Sequence, residues 1–150
     1  MNDQDYKELW IVWRNLIGDF MIEFSEIEYI SYSLWTKKVS NGDPSHSFKE
    51  RTRQVVSQLN GSKNFEIKSN LERAIDLADK RNTIAHNPAL MQIFINEKTN
   101  DIYHELSIST FKEGYYIDLP ELKELVAEAG DIKTKLYMQL GYLPQEDKNG

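Results

Sequence analysis

No cysteine occurs among the 150 residues, which removes disulfides, thiolate nucleophiles and cysteine-based zinc sites together. Histidine and the carboxylates remain as metal ligands, but no set of them has the helical spacing of a motif such as H-E-x-x-H. No apolar run approaches the ~18 to 20 residues that span a bilayer. The opening residues, Met1-Asn2-Asp3-Gln4-Asp5, lack the basic and apolar regions of a signal peptide. A cytoplasmic protein with no membrane contact is expected. Positive charge is also short, with a net charge of −6. That argues against a general nucleic-acid binder, whose affinity comes mostly from Lys and Arg neutralising phosphates. Neither an internal repeat nor a low-complexity segment is visible.

What is present reads as one soluble domain. Hydrophobic residues make up 40% and charged residues 28% of the chain, an ordinary globular balance. The length suits a single core, so residues 1–144 are expected to form one domain, with 145–150 a polar, disordered tail. The charge is unevenly spread. From Phe48 to His86, eight basic residues (Lys49, Arg51, Arg53, Lys63, Lys68, Arg73, Lys80, Arg81) face five acids (Glu50, Glu66, Glu72, Asp76, Asp79). Such a block between acidic flanks fits either a focused phosphate site or a scatter of solvated charges.

The first helix is expected from about Asp5 to Lys37. Trp10, Trp13, Ile17, Phe20, Phe24, Ile27, Ser31 and Leu34 recur at alternating steps of three and four, a continuous apolar seam. Leu16, Met21, Ile22 and Ile30 widen that face beyond one small core's needs, which suits contact with a partner chain as well. Val39 to His46 is a loop by composition, with His46 an exposed, uncommitted side chain. Ser47-x-x-Glu50 is a capping box opening a second helix that Asn60-Gly61 ends. A third helix starts near Asn64, and Asn87 before Pro88 should end it. Beyond Pro88 the period changes to two. Met91, Ile93 and Ile95, then Ile102, His104, Leu106 and Ile108, read as a β-hairpin around Glu97 to Asp101, with His104 a packed or half-exposed strand residue. Phe111 to Ile117 reads as a connector. Asp118-x-x-Glu121 with Pro120 opens a last helix, whose stripe of Leu122, Leu125, Val126, Ala129, Ile132, Leu136 and Leu140 ends at Gly141. The fold class is mainly α: a bundle of about four helices with the hairpin inserted between the third and fourth.

The third helix carries the informative stretch. On a helical projection Ile84, Leu77, Ala74, Ala85, Ala78, Leu71 and Ile75 form a wide apolar arc, and Arg81 falls inside it. An arginine rarely faces a core unpaired, so this face is expected to meet a cleft or another subunit. Asn82 lies near the other side of the arc, and His86 sits on its rim at the helix end, in line with Asp79. An imidazole titrates near neutral pH, so a histidine so placed suits general acid–base chemistry.

The run Arg81-Asn82-Thr83-Ile84-Ala85-His86 resembles the motif of the HEPN superfamily: an arginine, a polar residue after it, and a histidine near the end of a helix in a small helical domain. The element order around it fits the same resemblance. The resemblance implies a metal-independent endoribonuclease without cofactor, acting on RNA as a homodimer with two motifs facing each other in one composite site. His86 would then act as general base or acid on the 2′-hydroxyl or the leaving 5′-oxygen. Arg81 would stabilise charge on the pentacoordinate phosphorus, and Asn82 would orient or add a hydrogen bond. Asp79 is a supporting candidate for orienting His86, against the simpler reading of a solvated carboxylate. Members act in toxin–antitoxin systems, phage defence or RNA processing, which adds an antitoxin or regulatory protein as an implied partner. In members paired with a nucleotidyltransferase antitoxin a tyrosine stands two residues after the histidine; here that place is Pro88, so regulation by that route is not expected. The competing class is a non-catalytic HEPN-like dimerisation module, a helical dimer in which Arg81 and Asn82 are buried because they bind carboxylates or backbone across the interface and His86 has no role.

Overall fold

Two reciprocal caps set the first two helices in place. In a computed structural model that describes residues 2–39, 41–110 and 114–141, helix α1 runs Asp3–Lys38. It starts two residues earlier than expected because the Asn2 side chain accepts from the Asp5 amide while Asp5 reaches back to Asn2. Asn and Asp satisfy the orphan donors here as Ser and Glu do in the commoner form. Ser47 and Glu50 make that commoner box at the start of α2, Phe48–Gln58. A 3-10 turn over Ser62–Asn64 leads into α3, Phe65–His86. The last helix, α4, runs Leu119–Leu140. It is capped by Asp118 and stopped by Gly141 at φ 75°, a left-handed C-cap that glycine adopts without strain.

The described residues thus form four α-helices and a small antiparallel sheet. Helix α1 packs chiefly on α4 and α2, and α3 lies against α4 and α2. Most of the expected seam is core: Trp13, Phe20, Phe24, Ile27, Ser31 and Leu34 of α1, with Ile30 from beside the seam, are buried together with Leu71, Ala74 and Leu77 of α3 and Leu122, Ala129, Ile132 and Leu136 of α4. Trp10, Leu16, Ile17 and Met21 pack at its margin, whereas Ile22 faces outward. The junction of α1 and α2 is polar inside. Ser31 and Thr52, both buried, share a hydrogen bond of 2.6 Å between their hydroxyls. Trp35 donates its indole N–H to Gln54 at 2.7 Å, and Gly42 lies so close that a Cβ there would clash with the Trp35 ring.

The hairpin forms as strand β1, Ala89–Ile95, paired antiparallel with β2, Ile102–Ser109, in the register Ile93↔His104. Its base is buried through Leu106, Ser107 and Ile108, but Ile93, Ile95 and Ile102 at its far end are exposed, and Phe94 stacks on Tyr103. A third strand, β3, Tyr116–Ile117, pairs with β2 inside the stretch expected as a connector. Two residues are too few to show a period, and only the buried Ile117 marks the strand. Phe111 and the expected tail 145–150 lie outside the described residues. Among the described residues no helix is long and apolar enough to cross a membrane.

Candidate functional site

The end of α3 is built as the proline predicts. Asn87 is extended at φ −124° and ψ 144°, its side-chain amide donates to the Thr83 carbonyl at 2.9 Å, and His86 is the last helical residue. About two turns earlier, Ala78 keeps the helix surface shallow. The start of α2 approaches there, leaving a cleft of about 280 Å³ between α1, α2 and α3. Phe24, Phe48 and Ala78 form its apolar walls, and Ser47, Asn82 and the charged side chains Glu28, Lys49, Arg51 and Arg81 complete the lining. Arg81 therefore meets a cleft.

Three cations and one carboxylate share this small space, and each has a different commitment. The guanidinium of Arg81 is about a third exposed; its Nε lies 3.5 Å from the Glu28 carboxylate, and one terminal nitrogen donates to the Asn82 side chain at 3.3 Å. Close as Glu28 is, the buried Nε–H makes no hydrogen bond. The contact is an ion pair at the long end of the range. Lys49 reaches across to α3 and donates to Asp79 at 2.8 Å. Arg51 donates to the backbone carbonyls of Pro44 and His46 and lies over the Tyr32 ring, so it pins the preceding loop.

The structure brings two of the sequence candidates together and keeps two apart. Arg81 and Asn82 line the cleft. Asp79 is exposed and turned to Lys49, with no bond to His86. His86 is exposed, outside the cleft, and has no side-chain hydrogen bond or ion pair among the described residues. Five residues along a helix put it about 140° around from Arg81 and ~7.5 Å further on. One copy of the chain therefore does not aim the guanidinium and the imidazole at the same point.

Nothing in the sequence placed Glu28, Ser47 and Lys49 in this cleft, which all three line. Glu28 stands one turn beyond Phe24 beside the apolar seam, and a carboxylate at such an edge is a sign of a cation opposite. Lys49 counted only as part of the basic block, and Ser47 as a cap. His46 is also more committed than expected: its Nδ1 lies 3.3 Å from the Gln54 amide, and its ring 3.8 Å from Asp43. His104 is exposed beside Asn2, Asp3, Tyr6 and Met91 in a groove without a second histidine. A larger groove, about 690 Å³, runs between the start of α3 and the end of α4. Its cations are spoken for: Arg73 pairs with Glu128 and Asp131, and Lys135 with Asp131. The hydrogen bond to Glu128 and then that to Asp131 raise the pKa of Arg73, and the hydrogen bonds from Lys135 and Arg73 hold the Asp131 carboxyl below its usual range.

Chemically, the cleft beside Arg81 combines cationic side chains with apolar walls, and the helix end beyond it carries an exposed imidazole. No protein-family model matches the chain, and neither a curated protein nor a solved structure does.

Proposed function

We propose that this chain is an endoribonuclease of the HEPN type, cleaving RNA by attack of a 2′-hydroxyl on the adjacent phosphorus at a composite site made by two copies. The observation that carries this reading is the division of the motif: Arg81 and Asn82 in a cationic cleft, His86 solvent-open at the end of the same helix. In the reaction a His86 imidazole takes the 2′-hydroxyl proton as the oxygen bonds to phosphorus. A second His86 gives a proton to the departing 5′-oxygen. The products are a 2′,3′-cyclic phosphate and a 5′-hydroxyl end. Placed proton transfer of this kind is typically worth about 10² to 10⁴ in rate, and the Arg81 fork matches the extra negative charge on the phosphorane oxygens. A second copy supplies the histidine that one chain's geometry turns away from its own arginine. Helix α1 offers apolar surface for such a partner in the outward-facing Ile11, Ile22 and Tyr29.

The test is cleavage of total RNA by wild type and His86→Ala in excess EDTA. The wild type is expected to cleave with chelator present and His86→Ala to be inactive. Full activity in His86→Ala, or activity lost to EDTA and restored by magnesium, would overturn the mechanism. The second reading, a non-catalytic interaction module, draws on the Arg81 Nε–H that makes no hydrogen bond within its own chain, which leaves a donor for a carboxylate or carbonyl across the interface. Absence of cleavage under every condition, with Arg81→Ala weakening self-association, would put that reading in its place.

A further inference from the structure

We infer that the cleft beside Arg81 holds an RNA phosphodiester between Arg81 and Lys49, and that Glu28 is the internal counter-ion this phosphate displaces. The identity of the ligand rests on the ribonuclease reading. The roles of Lys49 and Glu28 are read from the cleft itself.

The first support is an unfinished interaction. A buried donor without an acceptor is costly, and the Nε–H of Arg81 is such a donor. Glu28 neutralises the charge without completing the bond, because its nearest oxygen stands 3.5 Å away. A phosphodiester carries two non-bridging oxygens that match a guanidinium edge better than this distant carboxylate does. The second support is the balance of charge. The lining holds Lys49, Arg51 and Arg81 against Glu28 alone, on a chain whose net charge is −6, so the cleft is locally cationic on an otherwise acidic chain.

The third support is that the pairs now present are easily exchanged. The Asp79 partner of Lys49 is 73% exposed, and ion pairs of that kind contribute little. Arg51 is different: its guanidinium is spent on loop carbonyls and the Tyr32 ring. It adds charge, while Lys49 can turn from Asp79 to the ligand. Ser47 and Asn82 stand beside these cations with a hydroxyl and an amide, and the walls of Phe24 and Phe48 keep the local dielectric low, which strengthens charge-assisted bonds.

Binding is measured by fluorescence anisotropy with a labelled 2′-O-methyl oligoribonucleotide, which lacks the attacking hydroxyl and so separates binding from cleavage. Lys49→Gln is expected to weaken binding about three- to tenfold and to lower the slope of log K against log salt by about 0.7 to 1. Lys49→Arg should keep most of the affinity, since the charge stays. Glu28→Gln should bind about threefold tighter or better, because the like charge facing the phosphate is gone. Thermal melts check that each variant is folded. Wild-type affinity in both Lys49→Gln and Glu28→Gln would overturn the inference. Competition by inorganic phosphate or a nucleoside monophosphate as effective as that by unlabelled oligonucleotide would overturn the assignment to a strand. The two readings fail separately. If RNA is cleaved through His86 but these variants bind like wild type, the phosphate site is wrong and the nuclease stands; if the variants behave as expected and no RNA is cleaved, the reverse holds.

Discussion

His86 and Arg81 sit five residues apart on one helix and should respond differently to truncation. The His86 side chain is exposed and without a partner among the described residues, so His86→Ala should change stability by no more than about 0.5 kcal/mol. Arg81→Ala leaves Glu28 facing the apolar walls without its cation. Both groups are about a third exposed, so screening limits the loss to on the order of 1 kcal/mol. Urea denaturation of the two variants beside wild type measures both; a larger loss for His86→Ala than for Arg81→Ala would contradict the geometry. The placement of Arg81 against a cleft was legible from its position in the apolar arc, since a charge there needs a partner. The partner was not legible, because Glu28 lies 53 residues earlier and no local pattern links the two positions.

Between elements, the contact of α1 with α2 depends on a polar pair inside an apolar seam. Ser31 and Thr52 are both buried and satisfy each other. Thr52→Val strands the Ser31 hydroxyl at a cost of about 1 to 3 kcal/mol, reduced if that hydroxyl turns to a carbonyl of its own helix. Ser31→Ala with Thr52→Val removes both groups and should restore most of the loss. A double-mutant cycle by thermal or urea unfolding reads this directly; additive single losses would show that the hydroxyls do not depend on each other. Helix boundaries themselves were local matters. Ser47 with Glu50, Asp118, Asn87 before Pro88, and Gly141 each end or begin a helix through neighbouring backbone groups, and each was readable as such. Strand β3 was not, because its two residues become a strand only by pairing with β2.

At the scale of the molecule, the ion pairs of Asp131, one within α4 and one to α3, make stability depend on pH. The Asp131 carboxyl is held below its usual range by hydrogen bonds from Lys135 and then Arg73, which ties α4 to α3. A lowered folded pKa contributes stability above the unfolded value and loses it as pH falls through the folded one. Wild type should therefore lose an increment between about pH 5 and pH 2 that Asp131→Asn does not lose, the two curves converging at the acid end. Urea midpoints over that range are the measurement, and parallel curves would count against the role given to Asp131. The proposed homodimer belongs to this scale too. Light scattering at roughly tens of micromolar is expected to give twice the chain mass, as a specific interface of standard size would. A monomer throughout would remove the composite site.

The sequence by itself determined the helices, their caps except at the starts of the first and third, the hairpin and most of the buried seam, because periodicity, capping and the restriction before proline act over a few residues of chain. It also singled out Arg81, Asn82 and His86 as a group. Only the tertiary structure decided that the group is split, with Arg81 and Asn82 in a cleft closed by Glu28 of α1 and Lys49 of α2, and His86 outside it. The reason is geometric. A helix fixes the angle between its own side chains but not which distant helices approach each face, and that approach sets the charge, the depth and the missing hydrogen bond at Arg81.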